Sequence, residues 1–167
     1  MKRRFLSTKT ALIRWGDGME LRLATAADIP ALCEIRKKQL HDEEPQPDVS
    51  IDAALLSYFE EAMKSGRLSQ WVLEDEGKIV ATAALILYDF PPSFQNESGK
   101  SGYVANVYTA PDYRKRGLAT RLLGVIKEEA LRRGLKKLWL EASVWGRPVY
   151  KKFGFEENPH WLEIKLL

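Results

Sequence analysis

One stretch holds most of the residues able to do chemistry. It is Asn106-Val107-Tyr108-Thr109-Ala110-Pro111-Asp112-Tyr113-Arg114-Lys115-Arg116-Gly117-Leu118-Ala119, followed by Thr120. It reads as a strand, a sharp turn and the start of a helix. Backbone N–H groups at a helix start have no acceptor inside the helix, and the helix dipole adds positive potential there. That combination binds phosphate or diphosphate. Gly117 and Ala119 lack bulky side chains, so an anion can approach the backbone, and Arg114, Lys115 and Arg116 add charge around it. The bland alternative is an ordinary strand–turn–helix with a glycine and three cations. No Walker lysine–hydroxyl pair follows, and the glycine triplet of dinucleotide-binding turns is absent.

Other reactive residue types point less sharply. Cys33 is the single cysteine, which excludes an intrachain disulfide and fits a reducing, cytoplasmic compartment. Its place within a helical pattern makes it a structural thiol. His41 and His160 lack metal-ligand spacing, so no metal is expected. Asp42, Glu43, Glu44 and Asp48 crowd an acidic segment that either attracts a cationic amine or is a solvated charge run. Trp71, Trp139, Trp145 and Trp161 read as core or rim residues.

The elements that must position these residues alternate in type. Glu20–Ala24 alternates polar and apolar residues, as a strand does. Thr25 with Asp28 three positions on forms a helix start, and Ile29, Leu32, Cys33, Arg36 and Leu40 recur at helical spacing to an end near Leu40. His41–Asp48, with Pro45 and Pro47, reads as a loop. Ile51–Lys64 is a helix stopped by Gly66. Gln70–Glu74 and Lys78–Tyr88 are strands joined at Glu76-Gly77, the second almost continuously apolar, as a strand covered on both faces is. Phe90–Gly102 is a loop, Tyr103–Thr109 a strand, and a helix with Leu122, Leu123, Ile126 and Ala130 on one stripe runs to about Arg133. Lys137–Ala142 is a strand, Pro148–Phe153 a short helix, and Phe155–Glu157 and Trp161–Leu166 closing strands. Strands interrupted by helices make a mixed α/β domain.

The chain has 167 residues, enough for one domain with a sizeable core. Its formal charge of +3 is uneven: residues 1–18 hold five basic residues against Asp17. The remainder carries 21 basic and 22 acidic residues, so the basic balance is poor support for nucleic-acid binding. Residues 1–18 lack the apolar core of a secretory signal. They read as an N-terminal extension, with Met19 as a possible natural start, ahead of a single domain over 19–167. No apolar run approaches the length of a membrane span.

Arg114-x-x-Gly117-x-Ala119 matches the R/Q-x-x-G-x-G/A signature of the GNAT (Gcn5-related) N-acetyltransferase superfamily. Val149-Tyr150-Lys151-Lys152-Phe153-Gly154-Phe155 is similar to that family's L-Y-x-x-x-G-F segment. Pro91-Pro92-Ser93, Asn106–Thr109 and Gly146–Tyr150 resemble segments of small bacterial members. The resemblance implies a mixed, mostly antiparallel sheet of about seven strands flanked by about four helices. It also implies a V-shaped opening between the strands Tyr103–Thr109 and Lys137–Ala142. Acetyl-CoA is then the cosubstrate. Its arm lies in the opening against Val107, Tyr108 and Thr109, its diphosphate on the turn from Arg114 through Arg116, Gly117, Leu118 and Ala119 to Thr120, with Ser143 beside the pantetheine. Arg147 is placed to reach a cofactor phosphate or a substrate carboxylate.

By the same resemblance Tyr150 is the general acid for the departing thiolate, and the Val107 N–H receives the developing oxyanion. Glu141 is a candidate base, directly or through water, and Asn106 could hold that water. The acceptor is framed by His41–Asp48 and Phe90–Gly102. The implied activity is acetyl transfer to a primary amine of a small molecule, by direct attack in a ternary complex. The alternatives are a protein or peptide N-acetyltransferase and a non-catalytic acyl-CoA sensor. A homodimer, with Trp161–Leu166 as a candidate contact, stays open.

Overall fold

The computed structural model describes residues 13–14, 18–164 and 166. Most of the basic leader therefore lies outside the described residues. Its Ile13–Arg14 (β1) pairs antiparallel with Glu20–Leu23 (β2). The sheet continues through Leu68–Asp75 (β3), Lys78–Asp89 (β4), Lys100–Thr109 (β5) and Leu138–Trp139 (β6), in that spatial order. Every pairing is antiparallel except β5 with β6. The helices are Ile29–Glu43 (α1), Asp52–Lys64 (α2), Leu118–Arg132 (α3) and Arg147–Phe153 (α4).

Both faces of the sheet are covered. On one, Leu118, Leu122, Leu123 and Ile126 of α3 pack on Leu73, Ala81, Ala83, Leu85 and Val104. On the other, Ile29, Leu32 and Cys33 of α1 and Phe59 of α2 pack on Leu68, Val72, Ala84 and Ile86. Residues 80–86 of β4 are all buried, which is why this strand reads as an unbroken apolar run. Cys33 is buried here and burial pushes its thiol up, in keeping with a structural role.

Arg22 pins the entry to α1. Its guanidinium donates to both oxygens of Asp28, at 2.8 Å each, and to Glu74 at 2.8 and 2.9 Å. The Asp28 carboxylate also accepts from the Thr25 N–H at 2.7 Å, as in a capping box.

Strands β3 and β5 begin earlier than expected, at Leu68 and Lys100, the latter inside the expected Phe90–Gly102 loop, and three further differences bear on the site. First, α1 runs through His41, Asp42 and Glu43 rather than ending near Leu40. Nothing breaks it until Glu44, which is extended because Pro45 follows. Two of the acidic residues assigned to a loop thus belong to a helix. Second, β6 keeps only Leu138–Trp139 of the expected Lys137–Ala142, since only Gly102 and Tyr103 offer it a ladder. Third, among the described residues no strand forms at 155–157 or 161–164, so six strands are described instead of about seven. A strand needs an edge to pair with, and the two-residue β6 offers little. Leu162 and Ile164 accordingly stand exposed.

Among the described residues no helix is long and apolar enough to cross a membrane, and no group of His, Cys, Asp or Glu is arranged to hold a metal ion.

Candidate active site

The site begins where β5 and β6 part. They are paired only at Gly102–Leu138 and Tyr103–Trp139, with the Gly102 N–H donating to Lys137 O at 3.0 Å. Beyond Tyr103 the flank of β5 away from β4 has no partner strand among the described residues, and of its backbone groups the Thr109 carbonyl is taken by Arg114. Gly102 makes the close pairing possible: a β-carbon there would lie 2.6 Å from Leu138 Cδ2 and 2.7 Å from Leu85 Cδ1.

Within that open stretch β5 bulges. Ala105 pairs with Ala84 and Tyr108 with Thr82, so Asn106 and Val107 together face one residue of β4. Asn106 takes φ 51°, a left-handed value. A buried polar chain holds it: Asn106 Nδ2 donates to Gln70 Oε1 at 3.1 Å, Gln70 Nε2 donates to Thr82 Oγ1, and Thr82 Oγ1 donates to Trp71 O at 2.8 Å. Sequence reading flagged Asn106 but missed Gln70 and Thr82. Polar residues in otherwise apolar strands were the available signal.

At the end of β5 the chain turns into α3. Lys115 and Gly117 have φ 62° and 76°, and Gly117 is the N-cap of the helix. The six backbone N–H groups from Lys115 to Thr120 meet no acceptor among the described residues, and the helical ladder starts with Arg121 N–H on Gly117 O at 3.0 Å. A β-carbon at Gly117 would meet nothing within 4 Å, so the approach is clear. A row of free N–H groups thus stands at the start of a 15-residue helix, the arrangement that suits an anion. The two arginines shape the turn rather than point into it. Arg114 donates to Thr109 O at 3.0 Å, pairs with Asp42 of α1 and lies over the Tyr108 ring. Arg116 donates to Asp112 O at 2.8 Å and lies over the Tyr113 ring. Lys115 is exposed.

Helix α4, which packs on α3, carries Tyr150. Its half-buried ring packs edge-on to Phe155, and its hydroxyl makes no hydrogen bond among the described residues. Burial, with a contribution from the Glu43 carboxylate, pushes this hydroxyl up to about 12. It is therefore protonated at neutral pH and free to donate. Gly146 makes room for the ring: a β-carbon there would lie 2.7 Å from Tyr150 Cε2. Ser143 holds this turn, its Oγ accepting from the Gly146 N–H at 3.1 Å. That bond gives its side chain a local structural task.

Glu141 is exposed and acts on Tyr103, whose hydroxyl accepts from the Glu141 backbone N–H and is pushed up mainly by burial. The carboxylate that acts on Tyr150 is Glu43. Arg147 pairs with Glu157 at 3.0 Å. Residues 90–99 curl on themselves through a Ser93–Asn96 bridge, next to the paired end of β5, with Phe94 fully exposed.

Residues 29–155 match the model of the acetyltransferase (GNAT) family. Among solved structures, a predicted acetyltransferase from Clostridium acetobutylicum, crystallised with acetyl-CoA, is 43% identical. That match covers 89% of this chain and 96% of that one, with a TM-score of 0.86. A GCN5-related N-acetyltransferase from Ralstonia eutropha JMP134 shares the fold at 23% identity and a TM-score of 0.81, over 89% of this chain and 99% of that one. A curated relative, the mouse thialysine N-epsilon-acetyltransferase, is 24% identical over 98 residues, which is 55% of each chain. The chain spans about half the length of that relative.

Proposed function

We propose, for a chain that belongs to the GNAT acetyltransferase family and so uses acetyl-CoA as cosubstrate, that it acetylates the primary amine of a small molecule by direct attack in a ternary complex. The observation that carries this reading is the row of six free N–H groups at the α3 start, directly following the end of β5 whose outer flank lacks a partner strand among the described residues. The similarity to a thialysine N-epsilon-acetyltransferase supports a small amine acceptor.

The residues fit the cosubstrate. The backbone of Lys115–Thr120 would take its diphosphate, with Gly117 leaving room for close approach. The open flank of Val107, Tyr108 and Thr109 would take its amide-bearing arm. Acetyl-CoA supplies the activated acetyl group as a thioester. The bulge sets Val107 where its N–H is proposed to donate to the carbonyl oxygen as negative charge develops there. Tyr150 is proposed to give its proton to the departing sulfur.

An attacking amine must lose a proton. Two carboxylates border the site, and we assign them different tasks. Glu43, whose field reaches Tyr150, is assigned to take the proton through water. Glu141, exposed beside Tyr103, draws the cationic amine toward the opening.

The test is thiol release from acetyl-CoA across amines, amino acids, aminoglycosides and peptides. Release with small amines is expected. Binding of coenzyme A with no acceptor consuming acetyl-CoA would replace this reading with a sensor, and turnover confined to peptides would replace it with a protein acetyltransferase.

A further inference from the structure

The sheet-facing stripe of α1 changes character along its length. Ile29, Leu32 and Cys33 are buried in the core, whereas Arg36, Gln39 and Glu43 continue the same stripe. Residues three, four and seven apart share one side of a helix. Gln39 is only 8% exposed. Its Nε2 donates to Glu43 Oε1 at 2.9 Å, while its Oε1 is buried with no partner among the described residues. A buried amide oxygen is costly to leave unsatisfied, so this one calls for a donor from outside the protein.

Packing fixes where that oxygen lies. Ile29, Leu32 and Cys33 share a core cluster with Tyr103 and Ala105, whereas Asp42 pairs with Arg114 and acts on Tyr108. Helix α1 and strand β5 thus run side by side in the same direction. Gln39 sits on α1 between Cys33, which clusters with Ala105, and Asp42, which reaches Arg114 and Tyr108. Asn106 Oδ1, on the same face as Gln70, also accepts nothing among the described residues.

The other end of this face is cationic. Arg36 acts on both Tyr58 and Tyr103. Arg67 lies over the Tyr58 ring at 5.9 Å. Neither arginine pairs with a carboxylate among the described residues. Arg67 lines a cleft of about 260 Å³ together with Tyr58, Ile86 and Tyr88, in which the one carboxylate, Asp89, is already paired with Lys100, and Arg36 acts on the same Tyr58.

We infer that the acceptor is a primary amine tethered to an anionic group, with the amine against Gln39 and Glu43 and the anion between Arg36 and Arg67. The separation is about 10 Å, from seven residues of helix between Arg36 and Glu43 and from three residues of strand between Tyr103 and Asn106. The matching class is ω-aminocarboxylates. This rests on the acetyltransferase reading. In the transfer, the amine nitrogen bonds to the acetyl carbon as the carbon–sulfur bond breaks. Of the three ammonium protons, one leaves by way of Glu43 to water, one stays on the amide, and the third balances the proton that Tyr150 gives to sulfur.

The experiment measures thiol release by the full chain with acetyl-CoA and 6-aminohexanoate, lysine, 1-aminohexane or glycine. For 6-aminohexanoate, kcat/KM should exceed that of 1-aminohexane by about tenfold to a hundredfold, the worth of a charged hydrogen bond. Glycine, too short to span both ends, should be poor. Arg36→Gln should shrink the ratio of kcat/KM for 6-aminohexanoate to that for 1-aminohexane toward one. Gln39→Met should lower kcat/KM for every amine without changing KM for acetyl-CoA. Equal or better use of 1-aminohexane by the unaltered chain would overturn this inference and leave the acetyltransferase intact. No release with any amine or peptide would remove both.

Discussion

Replacing Gly146 with alanine tests whether the placement of Tyr150, and not merely its presence, sets the rate. Gly146 has φ −79°, which alanine adopts freely, so the backbone is not strained. The added methyl would sit 2.7 Å from Tyr150 Cε2 and 3.3 Å from Cζ, inside ordinary contact at 3.4 Å. The ring must therefore retreat by roughly 0.7 Å at Cε2, and its hydroxyl swings with it. A displacement near 1 Å at a catalytic group costs up to about a hundredfold, so kcat should fall about tenfold to a hundredfold. KM for acetyl-CoA should stay within twofold, because the Lys115–Thr120 amides belong to another element. Crowding costs about 1–3 kcal/mol of stability, so a thermal melt run alongside must show the folded protein at the assay temperature. Tyr150→Phe should lose about 10²–10⁴ in kcat, the usual worth of a proton donor. The double variant should be no slower than Tyr150→Phe alone, since a ring without its hydroxyl has nothing left to misplace. Full kcat in Gly146→Ala, or losses that multiply in the double variant, would refute this reasoning.

Gly117→Ala should raise the dissociation constant for coenzyme A by about tenfold, the loss of one charge-assisted hydrogen bond. The fold should survive at a cost of about 1 kcal/mol for the left-handed φ, and calorimetry with a thermal melt separates the two effects. Gly102→Ala should destabilise the protein by about 1–3 kcal/mol, measured by urea unfolding, because its methyl meets Leu138 and Leu85 where the strands begin to part. Asp28 is held at about 2 against an ordinary 3.8, first by the Arg22 guanidinium. Its stabilisation, about 2 kcal/mol, is present above pH 4 and is lost as pH falls through the folded value. Asp28→Asn should flatten that acid limb in unfolding curves taken from pH 7 to pH 2.5. Because burial raises Tyr150, a kcat that needs its proton should show no alkaline loss through pH 9, and a limb near pH 8.5 would contradict the assignment.

The helix stripes and the strand–turn–helix at Tyr103–Arg133 were legible in the sequence because each follows from local pattern. So was the glycine turn, whose left-handed φ at Gly117 is what a glycine there is for. What the sequence hid depends on neighbours. The length of β6 is set by how far β5 accompanies it, and Lys137–Ala142 has strand character throughout. The tail at 155–164 alternates like a strand but finds no edge to join. The acidic segment after Leu40 read as a loop since prolines follow closely, yet helix propagation carries through Asp42 and Glu43 to the last residue before Pro45 is felt. Arg114 and Arg116 looked like phosphate ligands by type. Their side chains instead tie the turn to Asp42, Thr109 and Asp112, and leave the backbone to meet an anion. Gln39 gave no signal by itself, because a single glutamine on a helix is ordinary until its burial and its unpartnered oxygen are seen together.

The most direct measurement is a titration of coenzyme A into the full chain followed by nuclear magnetic resonance of the backbone amides. Shifts should concentrate on Lys115–Thr120 and on Val107–Thr109, with micromolar saturation that needs about tenfold more coenzyme A in Gly117→Ala. Binding that perturbs other segments while leaving those amides unmoved, or no binding at millimolar coenzyme A, would contradict the account.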